Sequence, residues 1–238
     1  MSRAAASRTE SSLHSEPVQR TLRRLHAAAA GDWKKFLGIT PRYLAGLVMG
    51  KKMHETITPA VARDLYMPVS PAKGEFLYIT ARAIGARNII EFGTSFGIST
   101  IYLAAAAKDN GGGRVTGSEI EPAKHAQAVA NLAAAGLGDS VDIRLGDALQ
   151  TLRDITAPVD LVFMDGWKVL YLPLLKQLKP VLRPGAVVLA DNMSGFRKSL
   201  ADFSDYLLSG RNGFHAVTLE FGDGLAYAVY LGEQTESA

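Results

Sequence analysis

The sequence contains no cysteine in 238 residues. That excludes a disulfide frame, a thiolate nucleophile and a cysteine-based zinc site, and it points to a reducing, cytoplasmic setting. No run reaches the ~18 apolar residues of a membrane span. The apolar segment of a secretory signal is also missing, because the start reads MSRAAASRTESSLHSE, which is small and polar. Such an Arg-, Ser- and Ala-rich start mimics a transit peptide, but Glu10 and Glu16 argue against one. Residues 1–16 are expected to form a disordered tail. A surplus of charge is lacking where it would matter. The pI is near 9.1, yet residues 1–24 carry five Arg against two Glu, a local +3 that leaves 21 basic and 21 acidic residues elsewhere. A neutral body is poor at collecting phosphates, which argues against a nucleic-acid partner. The five His, at 14, 26, 54, 125 and 215, show no ligand spacing.

What is present suits one folded domain over residues 17–238, with 47% hydrophobic and 21% charged residues. Residues 17–66 read as helices with short breaks. PVQRTLRRLHAAAA runs from a proline to Gly31, and two Thr-Pro pairs open the next segments. Ser70-Pro71 repeats that device, a cap followed by a proline at the first helical position. From residue 87 the rhythm changes. NIIEF, RVTGSEI, VDIRLG, VDLVFMD and AVVLADN alternate with helix-like segments. Five such strands mean a parallel sheet covered on both faces. FHAVTLEF and LAYAVYLG face each other across GDG, a hairpin that adds an antiparallel edge.

Ligands of open α/β sheets sit at the carboxyl ends of the strands. The unusual polar residues fall there: Glu91 to Ser99 after the first strand, Glu119 and Glu121 after the second, and Gly146 and Asp147 after the third. Asp165 and Lys168 follow the fourth strand, and Asp191 and Asn192 the fifth. The turn EFGTSFG lets backbone approach a ligand at a helix N-terminus, although it is not the G-x-G-x-x-G of dehydrogenases. Glu119 lies 22 residues after Gly97. A carboxylate there either accepts both ribose hydroxyls of a nucleoside or is a solvated strand end. Nothing like an Asn-Pro-Pro-Tyr motif follows the fourth strand, where DGWK stands instead.

The stretches IIEFGTSFGIST, GRVTGSEIEP, NLAAAGLGDSVDIRLGDA and VDLVFMDGWKVLYLPLLKQLKPVLRPGAVVLADN, in this order and spacing, resemble the class I S-adenosylmethionine-dependent O-methyltransferases. The likeness is to the catechol O-methyltransferase-like, cation-dependent branch, over roughly half the chain. The resemblance implies a Rossmann-like, doubly wound, seven-stranded and mostly parallel sheet, with a C-terminal antiparallel hairpin and preceding helices. It implies that S-adenosylmethionine lies against Val69, Glu91, Gly93, Thr94, Ser95, Gly97 and Ser99. Glu119 and Ile120 would hold the ribose. Gly146, Asp147 and Ala148 would lie at the adenine, with Asp165 and Trp167 nearby. A core role for Trp167 is the alternative.

The resemblance further implies that Asp165, Asp191 and Asn192 hold Mg²⁺ or another divalent cation, an oxygen donor set of the kind hard cations prefer. Asp165 and Lys168 would be catalytic, with Lys168 as general base. A neighbouring cation and partial burial lower a lysine's pKa from its usual ~10.4. The implied acceptor is a small phenolic, catechol-like molecule. The animal enzymes use an acidic residue from a later loop for its second hydroxyl, and His215 stands near that position here. The helices of residues 17–66 would cap the acceptor pocket or build a homodimer. The competing reading is a metal-independent methyltransferase of the same fold acting on another small hydroxyl or amine.

Overall fold

A computed structural model describes residues 11–31, 68–156 and 158–232. Seven strands form one sheet: β1 (Asn88–Phe92), β2 (Arg114–Glu119), β3 (Val141–Leu145), β4 (Val159–Met164), β5 (Leu182–Asp191), β6 (Phe214–Leu219) and β7 (Leu225–Tyr230). Their order is β3-β2-β1-β4-β5-β7-β6. The first five are parallel, and β7 runs antiparallel to both β5 and β6. The order reverses between β1 and β4, which is where such sheets open a ligand crevice. All seven strands fall where the apolar runs place them. Only β5 starts earlier, at Leu182, because Leu182 pairs with Val159 before a register shift. Arg183 beside that irregularity bonds Asp160, whose other oxygen accepts the backbone N–H groups of Arg87 and Asn88, each at 2.8 Å.

Among the described residues the α-helices are α1 (Glu16–Ala30), α2 (Pro71–Ala83), α3 (Ile98–Asp109), α4 (Pro122–Ala134), α5 (Ala148–Thr151), α6 (Tyr171–Leu178) and α7 (Ala201–Leu208). Two apolar clusters lie on the two faces of the sheet. One joins α1, α2 and α3 to Ile89, Val115, Leu161 and Leu189. The other joins α6 and α7 to Ile90, Val162, Val188 and Ala228. Alternate residues of each strand thus serve opposite layers. The helix α3 is apolar all round, ISTIYLAAAAKD, and buried from Ile98 to Ala107, as befits a helix between the sheet and a second helical layer.

The tail boundary needs correction. Residues 11–16, assigned to a disordered tail, are ordered against the body. A short 3-10 turn spans Ser12–His14, and Leu13 in it is fully buried. Asp109 at the end of α3 holds the segment. It accepts from Ser12 N at 3.0 Å, Ser11 Oγ at 3.2 Å and Tyr78 Oη at 2.7 Å. One buried leucine contributes about 1.5–3 kcal/mol, enough to order a short polar stretch that the carboxylate also caps. Residues 1–10 and 32–67 lie outside the described residues, and with them most of the 17–66 segment assigned a capping or dimer-building role; its described part, α1, packs into the first apolar cluster. The Ser70-Pro71 device is confirmed: Ser70 Oγ accepts from Lys73 N at 3.2 Å and opens α2.

Candidate active site

The rim formed by the carboxyl ends of β1, β2, β4 and β5 gathers most of the predicted residues. After β1 the chain turns through Gly93 (φ 95°), Ser95 (φ 50°) and Gly97 (φ 84°). Gly93 is required by contact as well as by conformation, since a Cβ there would lie 2.6 Å from the carbonyl oxygen of Asp165. The turn packs directly on the segment after β4, so the two strand ends form one wall. The cleft between them is lined by Pro68, Val69, Gly93–Phe96, Ile98, Ser99 and Asp165. Val69, Gly93, Thr94, Ser95, Ser99 and Asp165, predicted from separate stretches, therefore share one cavity.

Two carboxylates support this turn. Glu91 is fully buried, and its Oε2 accepts from Thr94 Oγ1 at 3.1 Å and Thr100 Oγ1 at 2.5 Å. Burial pushes its carboxyl pKa up, opposed by the hydroxyls of Thr100, Ser99 and Thr94. Glu119 is 7% exposed at the tip of β2, and its two oxygens accept Ser95 N at 2.7 Å and Glu121 N at 2.8 Å. The solvated-strand-end reading of Glu119 fails on that burial. Glu91 Oε1 and Ser95 Oγ are buried without a hydrogen-bond partner among the described residues. Orphaned polar atoms of this kind are costly unless a ligand completes them.

Beyond Glu119 the predictions divide. Ile120 is 46% exposed on the rim. Asp147 caps α5 through Leu149 N at 3.0 Å, which occupies one of its oxygens. Ala148 is buried in the second apolar cluster, and Trp167 packs partly buried against the same cluster. His215 is displaced from the site. It is exposed and pairs with Val229 in the body of the hairpin, opposite the row of Val187. That is four residues, about 13 Å, from the rim row of Asp191, Leu225 and Leu219. Glu220, exposed and one position past β6, follows the rim row directly, ahead of the loop residues Phe221 and Gly222 that lie against Lys73. Read as a strand end in LEFGDG, it gave no separate signal.

Asp165 and Asp191 follow neighbouring positions in the β4–β5 register, where Met164 pairs with Ala190. Asn192 takes a left-handed conformation, φ 65°, which asparagine tolerates better than most residues. Lys168 Nζ lies 3.5 Å from Asp165 Oδ1, and the two side chains are only 12% and 18% exposed. Burial pushes the Asp165 carboxyl up, against the pull of the Lys168 ammonium. Burial likewise pulls the Lys168 pKa down, against Asp165 and Asp191.

Two residues here escaped the sequence reading. Tyr171, fully buried, accepts from Lys168 Nζ at 2.8 Å and donates to the Met164 carbonyl at 2.8 Å, with the Asp191 carbonyl at 3.3 Å. It ties the lysine to the ends of β4 and β5 together. Lys73 donates to Asp191 Oδ1 at 2.5 Å. In the sequence both look ordinary, one a core aromatic and the other a helix lysine. Among the described residues, no three His, Cys, Asp or Glu side chains cluster as a metal site.

Comparison with known proteins gives a consistent picture. A family model described as a methyltransferase domain matches residues 90–193. The catechol O-methyltransferase of Mycobacterium tuberculosis is 40% identical over 139 residues, 58% of this chain and 62% of that protein. The catechol O-methyltransferase of Mus musculus is 34% identical over 185 residues, 71% of this chain and 68% of that one. Among solved structures, an O-methyltransferase from Streptomyces achromogenes involved in tomaymycin synthesis, in complex with SAM, superposes with a TM-score of 0.63. It is 27% identical over 82% of this chain and 89% of that chain. The chain spans only 58–62% of the length of its bacterial relatives from Niastella koreensis and M. tuberculosis.

Proposed function

We propose a function that proceeds from the chain's family: it belongs to the class I S-adenosylmethionine-dependent O-methyltransferases of the catechol O-methyltransferase-like branch. The chain transfers the methyl group of S-adenosylmethionine to a hydroxyl of a small phenolic acceptor, and a divalent cation assists. The observation that carries this reading is a juxtaposition. The cleft of Gly93–Ser99 and the cluster of Asp165, Lys168 and Asp191 share Asp165 as a common wall.

Glu119 accepts the ribose hydroxyls, and the Glu91–Ser99 turn encloses the methionine part. The orphaned Glu91 Oε1 and Ser95 Oγ fit a cofactor with polar groups to offer. Asp165, Asp191 and the Asn192 amide oxygen fit a hard cation, since all are oxygen donors. A bound divalent cation supplies positive charge that acidifies an acceptor hydroxyl. Lys168 takes the acceptor's proton. Its amine is lowered by burial and held by Tyr171, so it is aimed rather than free to sweep the surface. Glu220 replaces His215 as the hairpin residue placed to meet a second hydroxyl, because it stands at the rim.

One observation favours the metal-free alternative: Lys73 already bonds an oxygen of Asp191. Methyl transfer to a panel of catechols, with Mg²⁺ and with excess chelator, separates the two readings. Activity that falls in chelator and returns with Mg²⁺ is expected. Full activity in chelator would establish the metal-free reading, and no transfer to any hydroxyl under either condition would refute both.

A further inference from the structure

The reading above leaves one buried ion pair unused. Lys73 Nζ and Asp191 Oδ1 lie 2.5 Å apart, with side chains 8% and 5% exposed. The same oxygen accepts Asn192 N at 2.7 Å. The hairpin loop covers the amine, with the Phe221 ring centre 5.9 Å away. Lys73 is held there from below. Ser70 caps its N–H, and Gly74 packs so closely on the Tyr102 ring that no Cβ would fit. The helix α2 therefore packs directly on α3, and the lysine stem emerges at that contact. Its charge reaches beyond its partner, acting on both Asp165 and Lys168.

A buried ion pair tying α2 to β5 is weak evidence for stability, because desolvation offsets much of the attraction. Its position is more informative. Asp165 and Asp191 bring two carboxyl groups to the point where a divalent cation is proposed, and the Lys73 ammonium is already paired with one of them. A fixed positive charge in a water-poor site repels an arriving cation much more strongly than it would in bulk water.

We infer that Lys73 is the standing counter-charge of the cation site, a positioning residue that holds Asp191 Oδ1 and keeps the affinity for a divalent cation low, so that the cation exchanges readily. The inference rests on the cation-assisted reading of the site. It makes a signed prediction: removing the charge tightens cation binding, whereas a purely supporting role predicts weaker binding or no change.

The test is Mn²⁺ titration of the full chain with S-adenosylhomocysteine bound, following the free-ion spin-resonance signal. Lys73→Gln keeps a hydrogen bond to Asp191 without the charge, and should bind Mn²⁺ at least about tenfold more tightly than wild type. Lys73→Met serves in its place if the Gln variant no longer retains S-adenosylhomocysteine. Lys73→Arg keeps the charge and should stay within about threefold of wild type. Asp165→Asn marks the site by abolishing binding. Equal or weaker Mn²⁺ binding in Lys73→Gln, or a tenfold rise in Lys73→Arg, overturns the inference and leaves the cation reading intact. If neither wild type nor Lys73→Gln binds Mn²⁺ in a way that Asp165→Asn removes, the cation reading falls and the inference with it.

Discussion

Replacing Tyr171 by Phe removes one oxygen atom and nothing else. The ring should stay where it is, because it is fully buried and packs edge-on against Phe92 at 6.1 Å and Phe203 at 5.3 Å. Three hydrogen bonds disappear: the one accepted from Lys168 Nζ at 2.8 Å, the one donated to the Met164 carbonyl at 2.8 Å and the longer one to the Asp191 carbonyl at 3.3 Å. The Met164 carbonyl is left without that partner at the end of β4, a loss of about 1–3 kcal/mol. For a chain of this size each kcal/mol lowers Tm by ~2–4 °C, so a fall of about 2–12 °C is expected. The catalytic effect has a different origin. Lys168 keeps its amine but loses its anchor, and misplacement of a reacting group by ~1 Å can cost ~10²-fold. Tyr171→Phe should therefore slow single-turnover methyl transfer by about ten- to a hundredfold. Lys168→Met, which deletes the proposed base, should cost ~10²–10⁴-fold. Calorimetric S-adenosylmethionine affinity should be unchanged in both, because neither side chain lines the cofactor cleft. A Tyr171→Phe enzyme with the wild-type rate would show that Lys168 needs no anchor, and a wild-type rate in Lys168→Met would show that it is not the base.

Glu119→Ala should weaken S-adenosylmethionine binding, since each hydrogen bond to a carboxylate is worth ~1.5–3 kcal/mol; unchanged affinity by calorimetric titration would remove Glu119 from the ribose site. The third prediction concerns pH. Burial alone would raise the Asp109 carboxyl, but the hydrogen bonds from Ser12, Tyr78 and Ser11 outweigh it and hold the pKa below the ordinary value of 3.8. A carboxyl depressed by folding adds stability above its unfolded pKa, and that stability is lost as pH falls through the folded value. Attachment of Ser11–Ala30 should thus be complete at neutral pH and fail in acid. Asp109→Asn should show increased backbone hydrogen exchange in residues 11–30 at pH 7, with the difference from wild type shrinking below about pH 4. A difference that stays constant down to pH 3 would contradict the assignment.

Local patterning along the chain specifies the strands, the alternation of layers and the polar rim. Strands buried on both faces must be apolar over their length, so NIIEF and VDLVFM stand out, and the first polar residue beyond each marks the rim. Capping left an equally local trace in Ser70-Pro71. Groups that act through distant partners are set by folding and leave no such local trace. Leu13 is buried because Asp109, ninety-odd residues later, accepts the backbone beside it. Tyr171 looks like one more apolar helix residue until its hydroxyl meets the ends of two strands. Lys73 reads as a solvated helix lysine until Gly74 seats α2 against α3 and β5 presents Asp191. His215 and Glu220 differ in the same way, since the hairpin's register, and not distance along the chain, decides which of them reaches the rim. A side chain's local pattern records whether it is buried or exposed, but its charge partner is chosen by contacts between segments that the chain brings together only on folding.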